Sequence, residues 1–479
     1  MKITRNFLFI ALGVLLFFMM LLFNPFGVNR EAAKVLAVAA LMITWWVTES
    51  LPMPVVALLP ILLFPLFGIA TIRATASNYG DPIIFLFMGG FLIGLAIEKW
   101  NLHKRIALSI VNRTGTSGNR IVLGFIIASG FLSMWLSNTA TTMMMFPIAA
   151  SVILVMHQYS PPSGNVRNFA LTLMLAIAYA SNFGGLATII GTPPNVAFAG
   201  FIQDKYQYNF GFFEWMLICL PVAVLLLTAL YFVMVRWLFP NRIGASVHMK
   251  DEIRSQLSGL GPMSRSERRV LVIFVCTSLL WITKDLINLI GFIQLDDTMI
   301  ALIGAIALFI CPSGIVATNG SKRLLEWNDT SKMAWGILLL FGGGLTLASA
   351  LDKAGLIASL GQWIASISGD NILILIFTIV VVAIFVSELM SNIAQVIVFA
   401  PVIGGIADAM QINPILIGLP MTLAASCASM LPMGTPPNAI VFSSGHIPLK
   451  QMVRTGFVLN LVAVVVITLL CWLLIPLLI

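Results

Sequence analysis

The stretch SNTATTMMMFPI, Ser137 to Ile148, sets a polar pair inside an apolar run and follows it with a proline. The chain repeats that frame as SNIAQVIVFAPV, Ser391 to Val402. Set against itself at an offset of 254, the sequence aligns Phe87 with Phe341, Gly89-Gly90 with Gly343-Gly344, and Glu98-Lys99 with Asp352-Lys353. In the same register Leu102 meets Leu356, Ser133 meets Ser387, Ser137-Asn138 meets Ser391-Asn392, Ala140 meets Ala394 and Pro147 meets Pro401. Matches of Leu and Phe are cheap in apolar sequence. Paired glycines, an acid before a lysine, Ser-Asn and proline in one frame require a common origin. A second shared element, GTPPN, occurs at Gly191–Asn195 and Gly434–Asn438, at an offset of 243, so an insertion or deletion separates the two motifs.

The background of this repeat is membrane sequence. Of 479 residues 59% are apolar and only 9% charged, with a mean hydropathy of +1.02, whereas soluble domains are about one quarter charged. The formal charge of +8 lies in short loops and reads as a topology signal, not as a nucleic-acid surface. Cys219, Cys276, Cys311, Cys427 and Cys471 stand singly without metal-ligand spacing, as packing residues. The basic, apolar start MKITRNFLFIALGVLLFFMMLLF has no small-residue cleavage site after it and reads as a retained first helix.

Runs long enough for about 30 Å of hydrocarbon follow near 33–48, 54–69, 82–98, 167–209, 212–236, 268–289, 298–316, 333–352, 410–446 and 457–478. Basic residues cluster at Lys99, Lys104, Arg105, Arg113 and Arg120, at Arg236, Arg242, Lys250, Arg254, Arg265, Arg268 and Arg269, and at Lys450 and Arg454. These loops are placed in the cytoplasm. The connections 24–34, 69–81, 288–297 and 353–370 fit the other face. The count closes at eleven crossings, amino terminus inside and carboxyl terminus outside, if 121–155 and 371–407 each enter and leave on one face as re-entrant hairpins. Five crossings then separate the starts of the repeated helices, so the copies are inverted, as in many secondary transporters. The expected fold is an all-α polytopic membrane protein with inverted structural repeats. Its parts are amino-terminal helices 1–80, a first repeat 81–236, a cytoplasmic loop 237–267, and a second repeat with the last helix, 268–479.

At a hairpin tip the backbone loses helical partners, and Ser and Asn supply oxygens for a hard cation while hydroxyls and amides donate to an anion. GTPPN provides a matching break in a spanning helix, because glycine permits irregular dihedrals and two prolines remove amide donors. Each motif alone also fits a packed kink; duplication in an inverted frame favours function.

SNTAT with GTPPN, repeated as SNIAQ with GTPPN, resembles the divalent anion/sodium symporter family of dicarboxylate, citrate and sulfate transporters, over nearly the whole chain. The resemblance implies a homodimer in which each protomer has a scaffold domain and an elevator-type transport domain. It implies one sodium site at Ser133, Ser137, Asn138 and the Gly191 backbone, and another at Ser387, the Met390 backbone, Asn392 and the Gly434 backbone. A small dianion would lie between the tips, contacted by Ser137, Asn138, Thr139, Ser391, Asn392, Thr192 and Thr435. The only cofactor-like species implied is co-transported Na⁺. The chain departs from the pattern at Ile393, where the family carries threonine; Gln395 could replace the missing donor or hydrogen-bond the hairpin to its neighbour.

Glu388, opposite Met134 in the alignment, either acts near the second cation or in proton sensitivity, or is an interhelical or interface partner. Glu49, Glu214, Lys284 and Asp285 are expected at solvated helix ends. His103 falls in EKWNLHKRIALSIV, expected as one interfacial amphipathic helix, and His157, His248 and His446 are scattered through the chain. Neither a nucleotide loop of the Walker type, a symmetric filter ring nor a catalytic constellation is present. The expectation is a sodium-coupled symporter in the cytoplasmic membrane, in contact with its lipids, importing C4 dicarboxylates such as succinate, malate or fumarate. Sulfate or citrate transport, proton coupling and exchange are the alternatives.

Overall fold

A computed structural model gives the fold and describes residues 2–159, 164–241, 243–245, 247–291, 293–314, 322–368 and 371–479. Arg242, residues 315–316 of the seventh expected span and residues 369–370 of the loop before the second hairpin lie outside the described residues. The described residues form α-helices joined by short turns, with one isolated backbone bridge between Pro312 and Arg323. Ten of the helices are long and apolar enough to cross a membrane.

Helix α1 (Lys2–Phe23) pairs with α2 (Arg30–Thr48), whose start is fixed by Asn29 accepting from the Ala32 amide at 2.8 Å. The expected span 54–69 is divided into α3 (Met53–Val56) and α4 (Leu59–Leu66), because Pro54 and Pro60 each begin a new first turn. After α5 (Ile72–Ser77), the Asp81 side chain caps α6 (Pro82–Lys99) by accepting from the Ile83 amide at 2.9 Å. EKWNLHKRIALSIV is two helices, not one. Asn101 turns the chain at φ +57° between α6 and α7 (Leu102–Thr114), and His103 is buried with its ring nitrogen 3.0 Å from the Ile97 carbonyl.

The first expected hairpin is α8 (Gly118–Ser133) and α9 (Asn138–Tyr159), joined by four residues. The first broken helix is α10 (Gly164–Gly184), a loosened stretch over 185–192, and α11 (Pro193–Tyr206). Then come α12 (Phe212–Phe232), α13 (Val247–Gly259), α14 (Arg265–Leu289), α15 (Asp297–Ile310), α16 (Trp335–Lys353) and α17 (Leu356–Ser368). The second hairpin is α18 (Ile372–Ser387) and α19 (Asn392–Met410), and the second broken helix is α20 (Pro414–Ala425) and α21 (Pro436–Phe442). Helix α22 (Leu449–Leu478) closes the chain. The prolines of GTPPN do not interrupt a helix. They occupy the first positions of α11 and α21, where a missing amide costs nothing, and the break lies just before them.

Packing follows the repeat. Helix α8 lies on α10 as α18 lies on α20, and the halves exchange contacts, α9 against α21 and α19 against α11. Helix α10 is at the centre, with the stretch from Asn165 to Ala187 almost entirely buried. Its approach to α8 needs glycine, since a Cβ at Gly184 would stand 2.2 Å from the Gly130 carbonyl oxygen. The repeats differ at their connecting helices: α7 packs on α8, but α17 packs on α19. Helix ends are tied by ion pairs, and Lys284 is one of them. It is not a solvated end, because its ammonium is largely buried 3.0 Å from Asp297. Glu214 likewise accepts from the Gly211 amide at 3.2 Å and from the Tyr208 hydroxyl.

Candidate functional site

The two hairpin tips and the two helix breaks face a common cavity of about 920 Å³. Ser137, Asn138, Thr139, Thr192, Ser391, Asn392 and Thr435 all line it, as do Ile393, Met390, Gly434 and Asn182. The first turns of α9, α11, α19 and α21 begin at this wall. The positive ends of the helix dipoles therefore converge on one space, a setting that favours an anion; α11 and α21 open on two prolines, so the first-turn amides there come from α9 and α19. The charged residues on the wall are Glu49, Glu98 and Lys332, all exposed.

Behind each tip the helices end instead of beginning. Ser133 closes α8 and Ser387 closes α18, both fully buried, beside the carboxyl ends of α10 and α20. The Ser133 hydroxyl donates to Asn138 Oδ1 at 2.6 Å, and the Ser387 hydroxyl sits 2.7 Å from Asn392 Oδ1 and against the Ala425 carbonyl. Side-chain oxygens and the negative ends of helices are thus gathered at two equivalent places behind the anion-favouring wall. Gly191 is needed for closeness: a Cβ there would lie 2.4 Å from the Gly185 carbonyl oxygen. Gly185 in turn has no room for one, because Asn138 Oδ1 would stand 2.5 Å from it.

The loosened stretches are pinned by the last residue of each GTPPN. Asn195 Nδ2 donates to the carbonyls of Gly185 (3.1 Å) and Thr188 (2.9 Å), and Asn438 Nδ2 donates to those of Ala428 (3.2 Å) and Leu431 (3.1 Å). These bonds match at the 243-residue offset. Each asparagine also leaves Oδ1 buried without a donor among the described residues. A family model for the transmembrane region of sodium:sulfate symporters matches residues 3–479.

The chain belongs to the sodium:sulfate symporter family. It is 38% identical to a sodium-dependent dicarboxylate transporter, SdcS, of Staphylococcus saprophyticus over 98% of this chain and 91% of that one. The same figures hold for SdcS of Staphylococcus aureus strain USA300. Among solved structures, the YdaH transporter of Alcanivorax borkumensis superposes with a TM-score of 0.56 at 14% identity, covering 84% of this chain and 87% of its own. MtrF of Neisseria gonorrhoeae gives 0.55 at 10% identity, with coverage of 84% and 83%. Both likenesses concern the fold.

Within this symporter fold Asn182 has a role that no motif announced, and Gln395 and Glu388 find their partners. Asn182 joins the halves: its Oδ1 lies 3.5 Å from Asn138 Nδ2, and its own Nδ2 donates to Thr435 Oγ1 at 3.1 Å. Asn182 has no counterpart at the offset of GTPPN, where Ala425 stands, so a search for repeated residues passes over it. Gln395 is buried and donates to the Ala383 carbonyl at 2.8 Å, bracing the hairpin's two arms. It does not line the cavity and does not replace the donor missing at Ile393.

Glu388 is an interhelical partner. Its Oε1 accepts from the Ser429 and Met430 amides and from Asn460 Nδ2, each at 2.8 Å, and its Oε2 from the Leu431 amide at 3.0 Å. At the matching place in the first half, the Met134 carbonyl accepts from the Thr188 hydroxyl. His157 and His446, distant in sequence, stack with ring centroids 6.4 Å apart. Burial and the neighbouring His157 lower the pKa of His446.

Proposed function

We propose that this protein is a sodium-coupled symporter importing small divalent anions, with C4 dicarboxylates such as succinate, malate or fumarate as its preferred substrates. The observation that carries the reading is the pair of Ser-Asn tips facing one cavity, helix starts toward the cavity and helix ends behind it. Sodium bound by Ser133, Ser137, Asn138 and the Gly191 carbonyl, and by Ser387, the Met390 carbonyl, Asn392 and the Gly434 carbonyl, offsets the cost of bringing a dianion out of water. The dianion is held in front by Ser137, Asn138, Thr139, Thr192, Ser391, Asn392 and Thr435. No arginine lines the described cavity, so co-bound cations and helix ends carry the charge balance. The relatives named for dicarboxylate transport support the substrate class.

The same reading gives the chain eleven crossings and two re-entrant hairpins. The two repeats then lie inverted, the amino terminus is cytoplasmic and the carboxyl terminus extracytoplasmic. Glu49, Glu98 and Lys332 on the cavity wall stand on the same side as the basic loop that begins at Lys99 and Lys104 in this reading, which supports taking the cavity as open to the cytoplasm. At the other end of α16 and α19 the chain is shut by Lys205, bound to Asp352 at 2.9 Å and Asp408 at 2.8 Å. Alternation between faces proceeds by an elevator-type movement of the tips against a scaffold that includes helices 1–80, in a homodimer.

Uptake of labelled succinate into vesicles containing the purified protein tests the coupling. Uptake is expected to rise steeply with a sodium gradient and to fall to background when choline or potassium replaces sodium. Uptake driven equally by a proton gradient or by internal counter-anion would reject the symport reading. Competition by unlabelled C4 acids, citrate, 2-oxoglutarate and sulfate at fixed pH and sodium ranks the substrates, and strong sulfate transport without dicarboxylate uptake would overturn the preference.

Ile393 offers a sharper test of how the dianion lies. A dicarboxylate has an apolar middle to set against this side chain, and sulfate has none. Ile393→Thr restores a hydroxyl worth about 0.5–1.5 kcal/mol, so sulfate should compete up to about tenfold better against succinate. An unchanged ranking would place Ile393 away from the bound dianion.

A further inference from the structure

We propose that the start of α14 holds the headgroup of an anionic phospholipid, whose acyl chains lie along the same face of that helix. Arg265, Arg268 and Arg269 fall at helical spacing and, with Val272, Ile273 and Cys311, line an open pocket of about 430 Å³. Arg265 and Arg268 are exposed and Arg269 is half-buried, donating to the Pro312 carbonyl at 2.6 Å. Among the described residues none of the three pairs with a carboxylate.

The acid closest in sequence is already committed. Glu267 accepts from Arg105 Nε at 2.9 Å and, through its other oxygen, from the Ser264 amide at 2.7 Å. Three guanidiniums therefore sit at the positive end of a helix dipole, where cations are disfavoured. A phosphodiester relieves that imbalance and matches the forked donors of arginine.

The continuation of the face identifies the phosphodiester as a lipid's. Below the arginines the same side of α14 exposes Val272, Val275, Leu279 and Leu286, all apolar. An amphiphile with a negative head and hydrocarbon chains fits this sequence of surfaces, whereas free phosphate uses only the head of it. A second copy of this chain is a poor occupant. A two-fold axis along the membrane normal would bring like ends together, setting six guanidiniums against each other.

Native mass spectrometry of the purified full-length protein, given phosphatidylglycerol and phosphatidylcholine with matched acyl chains, tests the assignment without reference to any transported substrate. Phosphatidylglycerol should be retained several-fold over phosphatidylcholine, and Arg268→Gln, an exposed change that leaves packing intact, should lower that preference severalfold. The double variant Arg265→Gln and Arg268→Gln should abolish it. Excess inorganic phosphate should not displace the lipid. Equal retention of the two lipids, retention unchanged in the variants, full displacement by phosphate, or disulfide-linked dimers from Val272→Cys would each overturn the proposal.

Discussion

Asn138→Ala is expected to reduce sodium-driven uptake to near background at moderate sodium, with a smaller but definite loss for Asn392→Ala. Asn138 Oδ1 accepts the Ser133 hydroxyl at 2.6 Å, and its Nδ2 faces Asn182 at 3.5 Å. Alanine thus removes an oxygen of the proposed cation site and also strands two buried partners, Ser133 and Asn182. A hydrogen-bonding group directed at a charge is worth about 1.5–3 kcal/mol, so the sodium concentration for half-maximal transport should rise about ten- to a hundredfold. Asn392 holds the equivalent place against Ser387 at 2.7 Å, but no counterpart of Asn182 reaches it, and the losses should be unequal. Cys219→Ala serves as the control, buried in α12 and absent from the cavity wall. The measurement is initial uptake rate against sodium, with folded protein quantified by size-exclusion chromatography. Near-normal sodium dependence in a folded Asn138→Ala protein would remove this residue from the cation site.

The repeat made the site legible because its chemistry is written twice. Ser-Asn and GTPPN recur in register, and the structure brings all four copies to one cavity. Single-copy features were hidden for the same reason. Asn182 sits in an ordinary helical run, and only the fold brings it to Thr435, more than 250 positions away. Glu388 was visible as an intramembrane acid, yet three of its four partners are backbone amides of another segment, which carry no signature in side-chain sequence. Element boundaries failed where proline was read as a breaker. Pro193 and Pro436 begin helices, so each helix is loosened upstream of its prolines, over 185–192 and 426–435. Hydropathy located the spans, but could not show that 54–69 is jointed at Ala57 and Leu58, since both pieces are equally apolar.

Removing the carboxylate of Glu388 should cost the second half its shape before it costs any chemistry. Four donors converge on this side chain: the amides of Ser429, Met430 and Leu431, which belong to the unwound segment, and the Asn460 side chain from α22. Glu388 itself is buried, as are Ser429 and Asn460. In Glu388→Ala these donors lose their acceptor together, and each buried unpaired group costs about 1–3 kcal/mol. Even with partial relaxation the sum is a large fraction of the 5–15 kcal/mol by which folded domains are typically stable. The Ala variant is therefore expected to unfold at a markedly lower temperature or not to accumulate. Glu388→Gln keeps the shape and one carbonyl oxygen, but its amide group turns a donor toward donors. It should fold, with the Gly434 end of the break displaced, because a Cβ on Gly434 would stand only 3.1 Å from Glu388 Oε2. The cation site proposed at the Gly434 carbonyl should weaken selectively. Thermal unfolding of the Gln variant should accordingly show less stabilisation by sodium than the parent protein, at a sodium concentration that saturates the parent. A Glu388→Ala protein with the parent's melting temperature and the parent's sodium response would show that the unwound segment holds its shape without the carboxylate.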